Sequence, residues 1–575
     1  MRINCHAHVF NAKSVFTYET LEILLRRLTE MEIPVLLKTE IVGQLEKTLT
    51  KAGDYVDEET FFRNVVKKVS SSKDFKDVLK TLATNDTLKL ELEGGAALQD
   101  YAVDGLVRLL EKVGDALSQD DKDAAKADIG DALAFLRIAL KPSIRHVTDI
   151  LMEQLTLQDA VIPLVMDITH DGGDEKLLEK QLADTSAQIL AYPGRIFPFV
   201  AVNTKRPESF AIMEAALAGR GFIGVKLYPS LGYSVNSPEM FKVYAYCEER
   251  GVPILMHCSE GGFYYSDKTR NNSDPALWTA ILQKHPNLKI CFGHFGGAQY
   301  LAAAEIPASC WTRTILDLMV KFKGVYADIA YHSEPMNGGT GEQNYFKNLS
   351  LLLQNPDYRD RILFGTDYFL SRQRLTEKSY WKYFSKHLSE NEFRQIGEDN
   401  PQRYLGLPSE TQKTSVPIAN YIRFVYQQRG SLLSESPAWL KSAIKELYGP
   451  TATLPKPSLG PKWSWNNKVH AYFYVFLAEG QLSEQQKSKG FDTVGMLKLR
   501  DLAYWNKRFE ANEIWNLKLK AMSENLDSFF RANGGGYEKK QDSAKALTSL
   551  QKIFNNASIY IHEAGEACDA IYYFA

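Results

Sequence analysis

Two histidines flank a single alanine at the start of the chain, as His6-Ala7-His8. They follow a short β-prone run, Arg2–Cys5. On a strand, alternate residues share a face, so both imidazoles project the same way and form a two-armed grip for a metal ion. Three further ionisable residues close apolar runs: His257 ends Val252–His257, His294 ends Leu288–His294 and Asp367 ends Arg361–Asp367. Each has an ordinary alternative. An HxH pair recurs by chance in a chain with 11 histidines, a lone core histidine is usually just hydrogen-bonded, and an aspartate after a strand often caps the next helix. Their joint placement at strand ends is what points to one metal site.

The elements that must position these residues follow a repeating order. Apolar, β-rich runs occur at Arg2–Cys5, Val161–Asp167, Arg195–Val202, Gly221–Tyr228, Val252–His257, Leu288–His294, Gly324–Ile329 and Arg361–Asp367. Helical stretches such as Ser209–Ala218 and Pro238–Glu249 lie between most of them. Near-continuous apolar strands alternating with helices predict a parallel α/β fold, and eight such units predict a closed (β/α)8 TIM barrel. Parity agrees. Lys226 and Tyr228 alternate with Val225 and Leu227, and Gly365 and Asp367 alternate with Phe364 and Thr366, so the mostly polar register faces the barrel axis. Inward residues at strand C-termini are where barrel enzymes place their chemistry.

The chain has 575 residues, more than one core accommodates, since single cores stop growing near ~250–300 residues. The barrel is assigned to residues 1–10 and 143–407, with Ser143–Leu155 as its first helix. Residues 11–142 read as an inserted helical subdomain, entering after strand one on the active-site side and so placed to act as a lid. Residues 408–575 read as a helical C-terminal region whose role the sequence does not give. A net charge of −2 offers no basic stripe for nucleic acid, and no apolar run approaches the ~20 residues needed to span a bilayer. The start, MRINCHAHVF, has no apolar signal core, and six scattered cysteines suggest reduced thiols, so a cytoplasmic protein is expected. The expected partner is a small-molecule substrate; oligomeric state stays open, a homo-oligomer included.

The order HxH, GVKLYP, MH, GHFGG, FGTDYF and NPQRYLGL resembles the amidohydrolase superfamily. Within it, the chain is similar to the amidohydrolase-related branch of metal-dependent hydrolases and several decarboxylases, over residues 1–10 and about 143–407. The resemblance implies that His6, His8, His257 and Asp367 are metal ligands. It implies that His294 is a second ligand or an acid/base, and that Asp367 takes a proton from metal-bound water. Lys226 lies where two-metal relatives carry a carboxylated lysine. An unmodified Lys226 that binds a substrate anion is preferred, with one divalent metal, zinc ahead of manganese. The expected activity is hydrolysis of a C–N or C–O bond in a small organic acid, amide or lactone, with metal-dependent nonoxidative decarboxylation as the alternative on the same site. A non-catalytic interaction scaffold is the alternative of another class. Substrate contacts are sought at Tyr228, Lys268, Arg270, His332 and Arg372, the charged ones as anchors for a carboxylate. His170 is as readily a turn residue as a contact, and the HEAGE segment at His562 lacks the second histidine of an HExxH motif and reads as helix surface.

Overall fold

In the computed structural model, the described residues are 1–15, 39–41, 43–44, 61–65, 135–168, 175–370, 376–408, 414–429 and 437–448, together with short strands beyond residue 462. Eight strands run in chain order: β1 Ile3–Ala7, β2 Ala160–Pro163, β3 Phe199–Val202, β4 Gly224–Leu227, β5 Ile254–Ser259, β6 Ile290–Gly296, β7 Val325–Asp328 and β8 Ile362–Leu363. The helices that follow them are α1 Ile144–Met152, α2 Glu175–Ala191, α3 Ser209–Gly219, α4 Pro238–Arg250, α5 Trp278–Lys284, α6 Trp311–Lys321, α7 Gly339–Gln354 and α8 Glu377–His387. Helix α1 precedes β2, so it is the crossover of the first unit. Its N-cap is Ser143, whose side chain accepts from the His146 amide.

Strands β3 to β8 form one parallel sheet in sequential order, and β1 pairs in parallel with β2. Two seams close the ring. Bridges Val161↔Ile196 and Leu164↔Phe199 join β2 to β3. The second seam joins β8 to β1 through Cys5 N to Phe364 O at 2.9 Å, Asp367 N to His6 O at 2.8 Å and the bridge Ala7↔Tyr368. The expected (β/α)8 barrel is therefore the observed architecture.

Parity holds where it matters. Phe364 faces outward, 4.2 Å from the Trp381 ring and 5.5 Å from Phe384 on α8. Val225 and Leu227 join the same outer apolar layer. Fully burying one such side chain stabilises by roughly 1.5–3 kcal/mol. At the end of the barrel away from the site, Tyr404 donates to the Ile254 carbonyl at 2.7 Å and lies 5.0 Å from the Tyr326 ring.

The chain divides into two compact units, Met1–Gln428 with Glu435–Leu447, and Arg429–Ser434 with Tyr448–Ala575. The first thus includes all but the last residue of each of two helices beyond the barrel, Val416–Arg429 and Ala438–Tyr448. Tyr421 accepts from the Gly194 amide at 2.8 Å, and the Trp439 ring stands 5.7 Å from Phe197. In the second unit the expectation of a helical region is corrected. Among the described residues its elements are strands, including His470–Phe476, Val494–Lys498 and Ser558–Ala564, in an antiparallel sheet. HAYFYVF is rich in aromatic residues, whose β preference outweighs any helical periodicity. The HEAGE segment likewise begins within a strand. Most of residues 11–142 lie outside the described residues. Those described there include helical turns at Ala12–Val15 and 61–65, with Phe61, Phe62 and Val65 fully buried.

Candidate metal centre

The C-terminal ends of β1, β5, β6 and β8 bring together five of the side chains singled out by the sequence. Asp367 Oδ1 stands 3.3 Å from His6 Nε2 and 3.2 Å from His8 Nε2. His294 Nε2 lies 3.1 Å from His257 Nδ1, and the His6 and His294 rings are 4.7 Å apart. Lys226 Nζ is 3.5 Å from His6 Nε2. All six residues are at least nine-tenths buried.

The far ring nitrogens fix which lone pairs face the centre. His6 Nδ1 is 2.9 Å from Asp328 Oδ2, His8 Nδ1 is 3.2 Å from the Leu164 carbonyl and His294 Nδ1 is 3.0 Å from the Ala330 carbonyl. Each partner accepts only, so each Nδ1 carries the proton and Nε2 keeps its lone pair. His257 is reversed: Nε2 donates to the Gly261 carbonyl at 3.0 Å, which leaves the Nδ1 lone pair turned to His294. Two lone pairs thus meet across 3.1 Å with no proton assigned between them. Asp367 Oδ1 is buried without a hydrogen-bond partner. His6, His8 and the orphaned Asp367 carboxylate offer donor atoms within 4.8 Å of one another, a set that fits a divalent cation, which needs deprotonated nitrogen and oxygen donors, and His294 with His257 stands beside it.

Electrostatics keep the donors in that state. Burial lowers His6, His8 and His257 below the ordinary imidazole range, and lowers His294 to about 4. Burial opposes ionisation of Asp367, but the facing imidazoles of His6 and His8 outweigh it and hold the carboxylate well below its usual range. Burial also lowers Lys226 to about 8, against the pull of Asp367 and Asp328. The backbone is held as tightly. His294 and Asp367 have φ of 64° and 57°, a left-handed conformation costing roughly 1–2 kcal/mol for such residues. Gly365 is required at its place, because a Cβ there would lie 2.8 Å from His6 Cβ.

Asp328 is the functional residue that the sequence reading passed over. Fully buried at the end of β7, it accepts from His6 Nδ1, from the His294 amide at 2.9 Å and from the Ala330 amide at 3.0 Å. It therefore orients two donors at once. A weak signal was present: Asp328 is the one acidic residue of the predicted run Gly324–Ile329, one position before its end.

The expected substrate contacts separate. Tyr228 stacks on His257 with ring centres 4.1 Å apart, and its hydroxyl accepts from the Phe263 amide at 2.9 Å. His332 is 1 % exposed and uses both ring nitrogens within the protein, with the Tyr345 hydroxyl at 2.7 Å and the His294 carbonyl at 2.9 Å. It buttresses His294, which corrects its reading as a substrate contact. Lys268 and Arg270 are exposed on the loop after β5, where Arg270 lies 5.0 Å over the Tyr264 ring. Arg372 and His170 lie outside the described residues. Among the described cysteines all are unpaired, and no helix there is long and apolar enough to cross a membrane.

Residues 167–407 match the family model described as amidohydrolase. The match takes in Lys226, His257, His294, Asp328 and Asp367; His6 and His8 lie outside it and reach the same centre through the fold. Solved structures similar to the chain include an uncharacterised TIM-barrel protein from Bordetella bronchiseptica, at 19% identity over 46% of this chain and 84% of that one, with a TM-score of 0.33. A 2,6-dihydroxybenzoate decarboxylase complexed with 2,6-dihydroxybenzoate is similar at 14% identity over 48% and 92%, with a TM-score of 0.34. An amidohydrolase from Burkholderia multivorans with bound zinc is similar at 13% identity over 46% and 88%, with a TM-score of 0.33.

Proposed function

We propose that the barrel is a metal-dependent hydrolase that cleaves a C–N or C–O bond in a small organic acid, amide or lactone. His6, His8, His257 and Asp367 would hold one divalent cation, zinc ahead of manganese. The observation that carries this reading is the meeting of imidazole lone pairs with the unpartnered Asp367 Oδ1 at the mouth of the barrel. When bound, such an ion supplies Lewis-acid polarisation and lowers the pKa of a coordinated water towards ~7.

The chain's own groups do the rest. Asp367, ionised at neutral pH, accepts the proton of the attacking water. His294, neutral and held by Ala330 and His332, relays a proton to the leaving nitrogen or oxygen. Lys226 remains an unmodified amine that binds a substrate oxygen anion. Its low pKa, about 8, leaves most of it protonated at pH 7. Tyr228 forms a pocket wall beside His257.

The test is a panel of amides, lactones, esters and free aromatic carboxylic acids assayed with zinc-loaded protein in 18O-labelled water. Label in the released acid, lost in His6→Ala and Asp367→Asn, is the expected result. Carbon dioxide release without incorporation of label would instead assign a decarboxylase.

A further inference from the structure

Three of the ligand side chains come from two strands that meet only at the barrel seam, β1 and the exit of β8, more than 350 residues apart in sequence. Main-chain bonds cross the seam here, with Cys5 N to Phe364 O at 2.9 Å and Asp367 N to His6 O at 2.8 Å, but each strand's ladder to its other neighbour is interrupted beside them. β1 shifts register against β2 between Asn4 and Ala7, and β8 is ladder-paired to β7 only over Ile362–Leu363. A buried polar cluster occupies this position. Asn4 Oδ1 accepts from the amides of His6 and Thr366, both at 3.1 Å. Asn4 Nδ2 donates to Thr366 Oγ1 at 2.7 Å and to Glu377 Oε1 at 2.8 Å. Thr366 Oγ1 donates to Glu377 Oε2 at 2.6 Å and accepts from the Tyr368 amide at 3.2 Å. Trp381 Nε1 donates to Glu377 Oε1 at 2.7 Å.

We infer that Asn4, Thr366 and Glu377 are positioning residues that clasp β1 to the β8 exit and set the His6–Asp367 geometry of the centre. The clasp rests on the reading of that centre as a metal site. Its logic is one of saturation. Asn4 uses both amide hydrogens and accepts twice at its carbonyl, so it cannot rotate without breaking four bonds. Thr366 brackets Asp367, bonding through its side chain to the amide of the residue after it and through its own amide to Asn4. Glu377, the first residue of α8, is 3 % exposed and accepts three times. It ties the clasp to the helix whose Trp381 and Phe384 also support Phe364. None of the three needs to touch a bound ion; they act on it through the strands that carry its ligands.

The experiment uses the full-length protein loaded with cobalt(II), whose visible spectrum reports ligand geometry, and measures cobalt release to a chelator. Thr366→Val removes one hydroxyl with little change of shape, and Thr366→Ser restores it. The expected result is a shifted spectrum and at least tenfold faster release for Thr366→Val, with Thr366→Ser within about twofold of wild type; outer partners of metal ligands commonly contribute about 10- to 100-fold. Should Thr366→Val fail to fold, Glu377→Gln, which spares the Oε1 bonds, is expected to speed release about threefold or more. Wild-type spectrum and release rate in the folded variant would overturn the clasp while leaving the metal centre standing. Absence of cobalt uptake by the wild type itself would overturn the reading of the centre and the clasp with it.

Discussion

Exchanging Asp328 for asparagine alters one atom at the back of the centre and should weaken metal binding from a distance. The carboxylate accepts from His6 Nδ1 on one oxygen and from the His294 and Ala330 amides on the other. An asparagine can keep both amide bonds with its carbonyl oxygen. Its NH2 group then faces His6 Nδ1 at about the 2.9 Å now held by Oδ2. Two donors cannot share that contact, so His6 moves its proton to Nε2 and withdraws the lone pair turned towards Asp367. The residue is fully buried, so water cannot replace the lost acceptor. Outer carboxylates that orient ligand histidines contribute about 10- to 100-fold to metal affinity, or about 1.4–2.8 kcal/mol. Zinc affinity measured against a competing chelator should fall by that factor, and 15N spectra of the imidazoles should show the His6 proton on Nε2. Zinc affinity within twofold of wild type, with His6 still protonated at Nδ1, would refute the reasoning.

Three other predictions follow from the same geometry. Asp367→Asn should bind little metal and lose turnover by three or more orders of magnitude; a metal-stripped Asp367→Asn protein with full turnover would contradict the scheme. Burial raises Glu377 from 4.5 to about 7, against the bonds from Thr366, Trp381 and Asn4. The folded state then binds more protons than the unfolded chain between those values, so this residue's contribution is fully present below pH 4.5 and is lost as pH rises through 7. The loss is on the order of 3 kcal/mol, and urea midpoints across pH 4.5–8 should show that slope flattened in Glu377→Gln. Gly262 has φ of +94°, and a Cβ there would meet the Tyr228 hydroxyl at 2.6 Å and His257 Nε2 at 2.7 Å. Gly262→Ala should therefore cost roughly 1–3 kcal/mol in thermal unfolding and disturb His257.

Much of the barrel was legible because its signals are local. Each strand is a short apolar run, each inward residue follows from alternation, and His6, His8, His257, His294 and Asp367 announce themselves by ending those runs. What stayed hidden depends on contacts across the chain. Asp328 stands one position before the end of its run, and its role appears only once His6 is seen 2.9 Å away. Asn4 and Glu377 look like an ordinary strand residue and a first-turn helix acid; 373 positions separate the two ends of their hydrogen bond. His332 follows a strand as the ligands do, yet its ring turns to Tyr345 and the His294 backbone rather than to open space. The strands after residue 462 were misread because aromatic residues at 463–476 suit either a helical core or a pleated sheet, and pairing with Ser558–Ala564 decides the matter from far away.

The account turns on whether these donors share a cation. Elemental analysis of the purified full-length protein, alongside His6→Ala, addresses that directly. About one divalent ion per wild-type chain, and little or none in the variant, is the predicted outcome. A wild-type chain that carries no ion and takes up neither zinc nor manganese on addition would contradict the account.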